Sequence, residues 1–340
     1  CGLQSGHRSV QLFVRTPRSF VQLPSFLINM TSILIISEKR KECRTLTARR
    51  RGELEGLMRR EPAIIEGMEQ HGNSLAGRKA ETETGTAAVA PRRRWPQRVA
   101  IALVVLVVAA VLAAAAFFAY VGDFYHDLDA ASHDLASTEA LPVQQGESYL
   151  AFGDPAAETG IVLYPGAKVE YTAYAPLMRE LAERGYLAVV VEMPFNLAFF
   201  DINAADGVRS AFPQVKTWWV GGHSLGGSMA AQYAADHSDD AALGGIVLLG
   251  AYSASDLSAT DLGALVVYGE NDEVVNRDKL SEGEALLPPD AQTVKIAGGN
   301  HAGFGTYGPQ DGDGEASIAP EEQREQTADA VDAYLEARAA

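Results

Sequence analysis

Cysteine is almost absent from this 340-residue chain. The two cysteines, Cys1 and Cys43, both precede a long apolar segment, and none follows it. The larger part of the chain, after that segment, therefore has no disulfide and no thiol nucleophile. Its stability has to come from its own hydrophobic core, which about 200 residues can supply.

Basic residues are scarce in residues 121–340, which hold 10 Lys and Arg against 35 Asp and Glu. Residues 1–98 have the opposite balance, with 18 basic and 9 acidic residues. Because binding to a phosphate backbone depends on clustered Lys and Arg, we expect no nucleic-acid partner. The histidines are few and scattered, so the sequence suggests no metal site and no cofactor.

Charge is missing altogether from residues 99–120, a run of 22 apolar residues that is long enough to cross a bilayer as a helix. Arg-rich PRRRWPQR precedes this run and acidic GDFYHDLD follows it, which places the N-terminal side in the cytoplasm and residues 121–340 outside. A buried core helix and a cleaved signal peptide are the alternatives. The run is longer than the usual apolar region of a signal peptide, of about 7–15 residues, which favours an uncleaved signal anchor. Small residues in AAAAFFAY keep cleavage open.

These features divide the chain into four parts: a basic tail (1–98), a transmembrane signal anchor (99–120), a polar stalk (121–145) and a folded domain (146–340). We expect the tail to be cytoplasmic and largely disordered, because it shows no sustained helix or strand pattern. An N-terminus mis-extended before Met68 stays open. The predicted location is the cell membrane, crossed once, with the folded domain on the extracytoplasmic side.

Short apolar strands alternate with helices throughout the folded domain. The strands include GIVLYPG, YLAVVVEM, TWWVGG, GGIVLLGAY and ALVVYGEND, and the helices include YAPLMRELAERG and GGSMAAQYAADH. This alternation predicts a mostly parallel sheet with helices on both faces. In such sheets ligands bind at the carboxyl ends of the strands, so the chemistry should follow directly after these apolar runs.

The segment GHSLG places Ser224 between Gly222 and Gly226 and fits the pattern G-x-S-x-G. The pattern alone is weak, and a loop serine is the alternative. Here a buried strand precedes it and a helix follows, and such a tight turn leaves no space for side chains two residues before and after the serine. We therefore predict that Ser224 is a nucleophile and that the N–H of Leu225 can stabilise an oxyanion.

A nucleophilic serine needs a base, and only two histidines follow Ser224 in the chain. His237 lies at the end of the next helix, before any further strand. His301 follows the last strand, in GGNHAGFG, which is the place that the chain order Ser, Asp or Glu, His requires. His301 is the predicted base.

The acid that orients the histidine should follow the preceding strand. Asp272 does so in GENDEVV, with Glu270 and Glu273 as neighbouring rivals and Asp256 trailing an earlier strand. We favour Asp272. The second oxyanion donor should be a backbone N–H just after GIVLYPG, which points to Ala167.

These motifs, taken in order over about Ser148–Ala337, resemble the α/β-hydrolase superfamily, and most closely its compact, dienelactone-hydrolase-like bacterial members. The resemblance implies cleavage of an ester, thioester or lactone through an acyl-serine, with His301 as base and then acid and Asp272 fixing its tautomer. The family commonly has His-Gly where this chain has Pro165-Gly166, a change that a backbone donor survives.

The resemblance leaves the function open in part. The partner would be a small acyl substrate, and an acyltransferase on the same triad or a non-catalytic binding module with the same fold are the alternatives. Only 23 residues separate Met193 from TWWVGG, so no large cap domain has room there. The oligomeric state is not predicted.

One residue and two segments near these motifs receive no catalytic role. His223 is expected to be structural or to line the pocket. MPFNLAFF, at 193–200, either lines an acyl pocket or packs in the core. GPQDGDGEAS, at 308–317, resembles a calcium loop but lacks the EF-hand order, and we interpret it as a solvated loop.

Overall fold

The computed structural model describes residues 95–128 and 135–339. The prediction of a disordered cytoplasmic tail falls almost entirely on residues 1–94, outside the described residues. The first described element is a helix, α1 (Trp95–Gly122), and its residues 97–122 are long and apolar enough to cross a membrane. Its side chains face outward along its length, with Leu106 65% and Leu112 64% exposed.

Eight strands form one sheet in the order β1-β2-β4-β3-β5-β6-β7-β8. β2 is antiparallel to both of its neighbours, and all the other pairs are parallel. The strands are β1 (Val143–Gln145), β2 (Tyr149–Phe152), β3 (Thr159–Tyr164), β4 (Leu187–Val191), β5 (Thr217–His223), β6 (Leu243–Leu249), β7 (Gly263–Gly269) and β8 (Gln292–Ile296). The mostly parallel sheet that the sequence predicts is confirmed. It begins at Val143, inside the segment predicted as a stalk, because β1 pairs with the edge of β2.

Five helices follow α1: α2 (Ala175–Glu183), α3 (Ala204–Ala211), α4 (Leu225–Asp236), α5 (Arg277–Glu284) and α6 (Pro320–Ala339). Side chains of α2 and α6 pack on one face of the sheet, and those of α3, α4 and α5 pack on the other. Both faces are therefore buried, as the continuous apolar strands require.

β4 shows how the sequence produces the two cores. All five of its residues are buried, with Ala188 and Val190 in one core and Leu187, Val189 and Val191 in the other. This alternation follows from the two-residue period of a strand. Full burial of each of the larger side chains contributes roughly 1.5–3 kcal/mol to folding.

The connections over the carboxyl ends of the strands are short. Between β4 and β5 the chain forms two single-turn 3₁₀ helices, Pro194–Asn196 and Ala198–Phe200, and then α3. No cap domain is inserted at this point or between β6 and β7, as the sequence predicts. The carboxyl edge of the sheet is consequently covered only by loops.

Candidate active site

Ser224 lies on the sharp turn between β5 and α4, at the carboxyl end of a central strand. Its backbone has φ 53° and ψ −121°, a conformation that side-chain-bearing residues rarely adopt. Such strain costs on the order of 1–3 kcal/mol and persists only where the surroundings enforce it. Here the N–H of Ser224 donates to the carbonyl of Leu249 at 2.9 Å, which fixes the turn to the end of β6.

The two motif glycines are required by close contacts across this turn. A Cβ on Gly222 would overlap the backbone of Gly226 and Gly227, and a Cβ on Gly226 would overlap the carbonyl oxygens of Tyr164 and Pro165. The helix N-terminus thus lies directly against the loop that follows β3. This contact brings the two predicted oxyanion donors to the same edge of the sheet.

His301 and Asp272 form a buried hydrogen-bonded pair. The Nδ1 of His301 is 2.8 Å from Oδ2 of Asp272, and the two residues are 1% and 2% exposed. The other oxygen of Asp272 accepts from the N–H groups of Val274, at 3.0 Å, and Val275, at 2.8 Å. With both oxygens engaged, the carboxylate is fixed in position and holds the imidazole through Nδ1.

The rival acids are engaged elsewhere. The carboxylate of Glu270 pairs with Lys295 at 2.9 Å, and that of Asp256 bonds to its neighbour Ser258. Glu273 is exposed, its N–H donates to the carboxylate of Asp313 at 3.4 Å, and Asp272 is the one acid of the four that is bonded to His301. Of the acids that the sequence left open, the structure thus brings Asp272 alone to His301.

Ser224 and His301 lie at the same edge of the sheet but are not hydrogen-bonded to each other. Nε2 of His301 is buried and has no hydrogen-bond partner among the described residues. The ring of His223, next to Ser224 in the chain, lies 4.4 Å from the ring of His301. Catalytic hydrogen bonds are often long in a free enzyme and tighten when substrate binds. The assignment of a complete triad stays a prediction.

The turn after β7 that carries Asp272 is held by Arg277, a side chain that the sequence did not indicate. Arg277 donates to the carbonyl groups of Gly269, Glu270 and Asp272, at 3.1, 3.1 and 2.9 Å, and so holds the turn that carries the acid. Three hydrogen bonds of this kind on one turn leave it little freedom.

Asp313 supports the loop of His301. Its carboxylate accepts from the N–H groups of His301, at 3.2 Å, and Ala302, at 2.9 Å. The segment 308–317, interpreted from the sequence as a solvated loop, thus holds the histidine loop in place. Within residues 95–128 and 135–339, no three His, Cys, Asp or Glu side chains are arranged to hold a metal ion.

The two predicted oxyanion donors, the N–H groups of Ala167 and Leu225, have no hydrogen-bond partner in the described part of the chain. The preceding residue, Gly166, is held by the hydroxyl of Tyr174, which accepts from its N–H at 3.0 Å. A Cβ on Gly166 would lie 2.8 Å from Nδ1 of His223. The loop therefore passes very close to His223, the residue before Ser224.

His223 connects the loop of Gly166 to the turn that carries Ser224. It is 1% exposed, and its Nδ1 lies 2.8 Å from the hydroxyl of Tyr174. Burial lowers the pKa of His223 well below its usual value, and repulsion from His301 lowers this pKa further. The ring is therefore neutral, with Nδ1 as the acceptor of the tyrosine O–H. The structural role expected for His223 has a clear basis, and Tyr174, 49 residues earlier, is a partner that the sequence did not indicate.

A family model described as the alpha/beta hydrolase family matches residues 160–325, from β3 into α6. Among solved structures, the chain is similar to an alpha/beta hydrolase enzyme from the metagenome of lagoon sediments of Mar Chica, Morocco. The identity is 16% and the TM-score is 0.45, and the match covers 59% of this chain and 99% of that chain.

Two further solved structures are a predicted CIB-like hydrolase from Thermoplasma acidophilum and a thermophilic esterase from Thermogutta terrifontis. The first has 16% identity, with 57% of this chain and 99% of that chain covered and a TM-score of 0.44. The second has 13% identity, with 60% and 97% covered and a TM-score of 0.43. All three TM-scores lie below 0.5, and we draw nothing about activity from these likenesses. No curated protein matches the chain.

The matched region contains the strained turn at Ser224, the acid turn at Asp272 and the loop of His301. The sheet order, with one antiparallel edge and a parallel remainder, agrees with the family that the model describes. Residues 160–325 therefore match the alpha/beta hydrolase family, and the chain has the α/β-hydrolase fold.

Proposed function

We propose that this protein is a membrane-anchored serine hydrolase that cleaves an ester, thioester or lactone through an acyl-serine intermediate. One observation above all supports the proposal: the buried 2.8 Å pair of His301 and Asp272 lies at the same edge of the sheet as the strained turn of Ser224. A turn that imposes strain on a serine, beside a histidine whose Nε2 has no partner in the described residues, has no evident structural purpose.

In the proposed first step, Oγ of Ser224 attacks the carbonyl carbon of the substrate while Nε2 of His301 takes the hydroxyl proton. Asp272 keeps the proton of the imidazole on Nδ1 and stabilises the imidazolium that forms. The negative charge of the tetrahedral intermediate develops on the former carbonyl oxygen. The N–H groups of Leu225 and Ala167 are the donors for that charge.

The intermediate then collapses, and His301 gives its proton to the departing alcohol, thiol or lactone oxygen. The acyl group stays on Ser224. A water molecule attacks the acyl-serine in the second half of the reaction, with His301 again taking a proton, and the acid leaves as Ser224 recovers its hydrogen. Each proton taken by His301 is thus returned within the same half-reaction.

The anchor is α1. Its side chains are exposed throughout residues 97–116, and each square ångström of apolar surface left in water costs about 25 cal/mol. Insertion into a bilayer removes that cost. The arginines of PRRRWPQR before the helix and the acidic residues after it favour a cytoplasmic N-terminal side and an extracytoplasmic hydrolase domain.

Hydrolysis of p-nitrophenyl butyrate by the full chain in detergent or vesicles tests the proposed role of Asp272. We expect Asp272→Asn to lower kcat/KM between about a thousandfold and ten thousandfold, because the amide no longer holds the correct tautomer of His301. The matched control is Asp256→Asn, which changes an exposed acid bonded only to Ser258 and should leave kcat/KM unchanged. An Asp272→Asn variant within about twofold of the unmodified protein contradicts the proposal.

A further inference from the structure

The outer end of α1 contacts the loop that follows β4. This loop, Met193–Phe200, is called the aromatic loop below. The ring of Phe117 lies 5.3 Å from that of Phe195 and 6.0 Å from that of Phe200, both edge to face. Phe118 adds a contact with Phe195 at 6.2 Å. The end of the membrane helix and the aromatic loop therefore form one continuous aromatic surface.

This surface is exposed to an unusual degree. Phe195, Phe199 and Phe200 are 45%, 45% and 46% exposed. In the described chain after α1, the only other large apolar residue that is exposed is Leu128. A soluble domain seldom groups its exposed apolar side chains in one place unless they contact something.

The backbone of the aromatic loop is strained in a way that turns its side chains outward. Phe195 and Asn196 have φ values of 57° and 54° in succession, a region that a bulky residue such as phenylalanine rarely enters. The flanking residues Met193, Leu197 and Ala198 are buried and hold the loop on the sheet.

The aromatic loop is hydrogen-bonded to the loop after β3 that carries Ala167. The carbonyl of Asn196 accepts from the N–H of Lys168 at 2.8 Å, and Lys168 is the residue after Ala167. The ammonium of Lys168 lies 4.6 Å from the ring of Tyr120, near the end of α1. The backbone carbonyl of Lys168 accepts from the N–H of Tyr125 at 2.7 Å.

Because of these contacts, no long flexible linker separates α1 from the loop of Ala167. Tyr125, whose N–H is bonded to Lys168, is the third residue after Gly122, the end of α1, and lies at most about 10 Å from it. Tyr120 has the character of a residue at the membrane interface, and Phe117 lies three residues, about 4.5 Å, deeper along the helix. A loop that contacts Phe117 reaches the depth of the acyl chains.

We propose that the aromatic loop and the last turns of α1 form one surface inserted into the outer face of the bilayer, and that the substrate is an ester whose acyl chain lies in that bilayer. The inference rests on the proposed serine hydrolase and its membrane anchor. An acyl chain that leaves the bilayer along this surface reaches the loop of Ala167 without crossing water. Because residues 121–340 carry few cations, the contact is apolar and not a response to anionic lipids.

Fluorescence quenching by a spin-labelled lipid tests the membrane contact without any need for catalysis. In the full chain with Cys1→Ser and Cys43→Ser, a single cysteine is introduced as Phe199→Cys and labelled with an environment-sensitive fluorophore. The matched control is Lys216→Cys, because Lys216 precedes β5, at the opposite end of the strand from Ser224, and its side chain is 71% exposed. Both proteins are reconstituted in phosphatidylcholine vesicles with and without a lipid that carries a spin label near its headgroup.

We expect the spin-labelled lipid to quench the fluorophore at position 199 and not at position 216, with little dependence on salt. Equal fluorescence with and without the spin label at position 199 overturns the proposal, and cross-linking between copies at that position would then assign the surface to a second copy of the chain. Quenching at both positions also overturns it, because the domain would then lie on the membrane by a different face.

The substrate class is tested by the ratio of two rates in the same vesicles: cleavage of p-nitrophenyl palmitate in the bilayer and of p-nitrophenyl butyrate in water. For the double variant Phe195→Ser and Phe200→Ser we expect this ratio to fall at least about tenfold, because the apolar path to the site is interrupted. An unchanged ratio contradicts the bilayer substrate. If the double variant does not fold, Phe199→Ser alone, which removes an exposed ring that packs against the ring of Phe200, is expected to lower the ratio in the same direction.

Labelling of the same preparations with a fluorophosphonate separates the two proposals. Labelled protein with an unchanged rate ratio rejects the bilayer substrate and leaves the serine hydrolase standing. Failure of the unmodified protein to label rejects the serine hydrolase, while the quenching result still decides whether the aromatic loop enters the membrane.

Discussion

His223 and His301 lie side by side at the carboxyl edge of the sheet, yet they have different partners. His301 is bonded through Nδ1 to Asp272, whereas His223 accepts the O–H of Tyr174 and is kept neutral by burial. The ring of His223 lies beside the loop of Gly166 and beside the ring of His301. Because it is neutral, it adds no positive charge next to His301. Tyr174, which holds Gly166, completes this support.

The buried, neutral state of His223 makes the stability of the fold sensitive to pH. The pKa of His223 is lowered in the folded protein, so the unfolded chain binds a proton near pH 6.5 that the folded protein refuses. The free energy of unfolding should therefore fall as the pH drops below about 6.5, by up to about 1.4 kcal/mol per pH unit, and this contribution is fully present above that pH.

Thermal unfolding of the full chain in detergent, followed between about pH 7.5 and 5.5, checks this expectation. His223→Asn keeps an acceptor for Tyr174 and should reduce the loss of Tm on acidification. The control is His126→Asn, whose side chain is 64% exposed and which should leave the loss unchanged. A His223→Asn protein with the pH profile of the unmodified chain would show that His223 does not titrate on unfolding.

At the scale of the elements, the turn between β5 and α4 is the most demanding piece of backbone in the domain. It combines a positive φ at Ser224 with two glycines, Gly222 and Gly226, at which an added Cβ would overlap neighbouring backbone atoms. These demands are local, and therefore the sequence pattern could predict the turn. They also mean that the position of Ser224 and the packing of the fold depend on the same few atoms.

We expect Gly226→Ala to destabilise the protein by roughly 3 kcal/mol or more, because its Cβ would overlap two carbonyl oxygens of the loop after β3. The matched control is Gly207→Ala in α3, where a Cβ would meet nothing within 4 Å and where alanine should stabilise the helix by up to about 1 kcal/mol. Chemical denaturation of the two variants measures both effects. A Gly226→Ala protein as stable as Gly207→Ala would contradict the geometry of the turn.

Two elements were not predictable from the sequence. β1 has only three residues, none of them buried, and it forms because the edge of β2 offers unpaired backbone. α5 is polar, with only Leu280 and Gly283 buried, and its N-terminus depends on the side chain of Asn276, which accepts from the N–H of Lys279 at 2.9 Å. Neither has the apolar periodicity that indicates a helix or a strand.

At the scale of the whole molecule, a parallel sheet explains why much of the site could be anticipated. The turns after β5, β7 and β8 lie at one edge because the three strands run in the same direction, so Ser224, Asp272 and His301 are brought to that edge from distant parts of the chain. The contacts of Tyr174 with His223 and of Asp313 with His301 could not be anticipated, because they depend on the path of loops and not on the order of strands.

The orientation across the membrane is a property of the whole chain and can be tested by chemical labelling of intact cells. Lys216→Cys, in the chain with Cys1→Ser and Cys43→Ser, should react with a membrane-impermeant maleimide added outside, because residues after Tyr120 are expected to be extracytoplasmic. The native Cys43 of the unmodified protein is the control and should react only after permeabilisation. The reverse pattern would place the hydrolase domain in the cytoplasm.

The nucleophilic role of Ser224 is the central claim, and covalent labelling with a fluorophosphonate followed by peptide mass spectrometry tests it most directly. The folded, unmodified protein should carry one phosphonyl adduct, on the peptide that contains Ser224, and heat-denatured protein and the Ser224→Ala variant should carry none. An unmodified protein that is folded and stays unlabelled, or an adduct that persists in Ser224→Ala, would contradict the account.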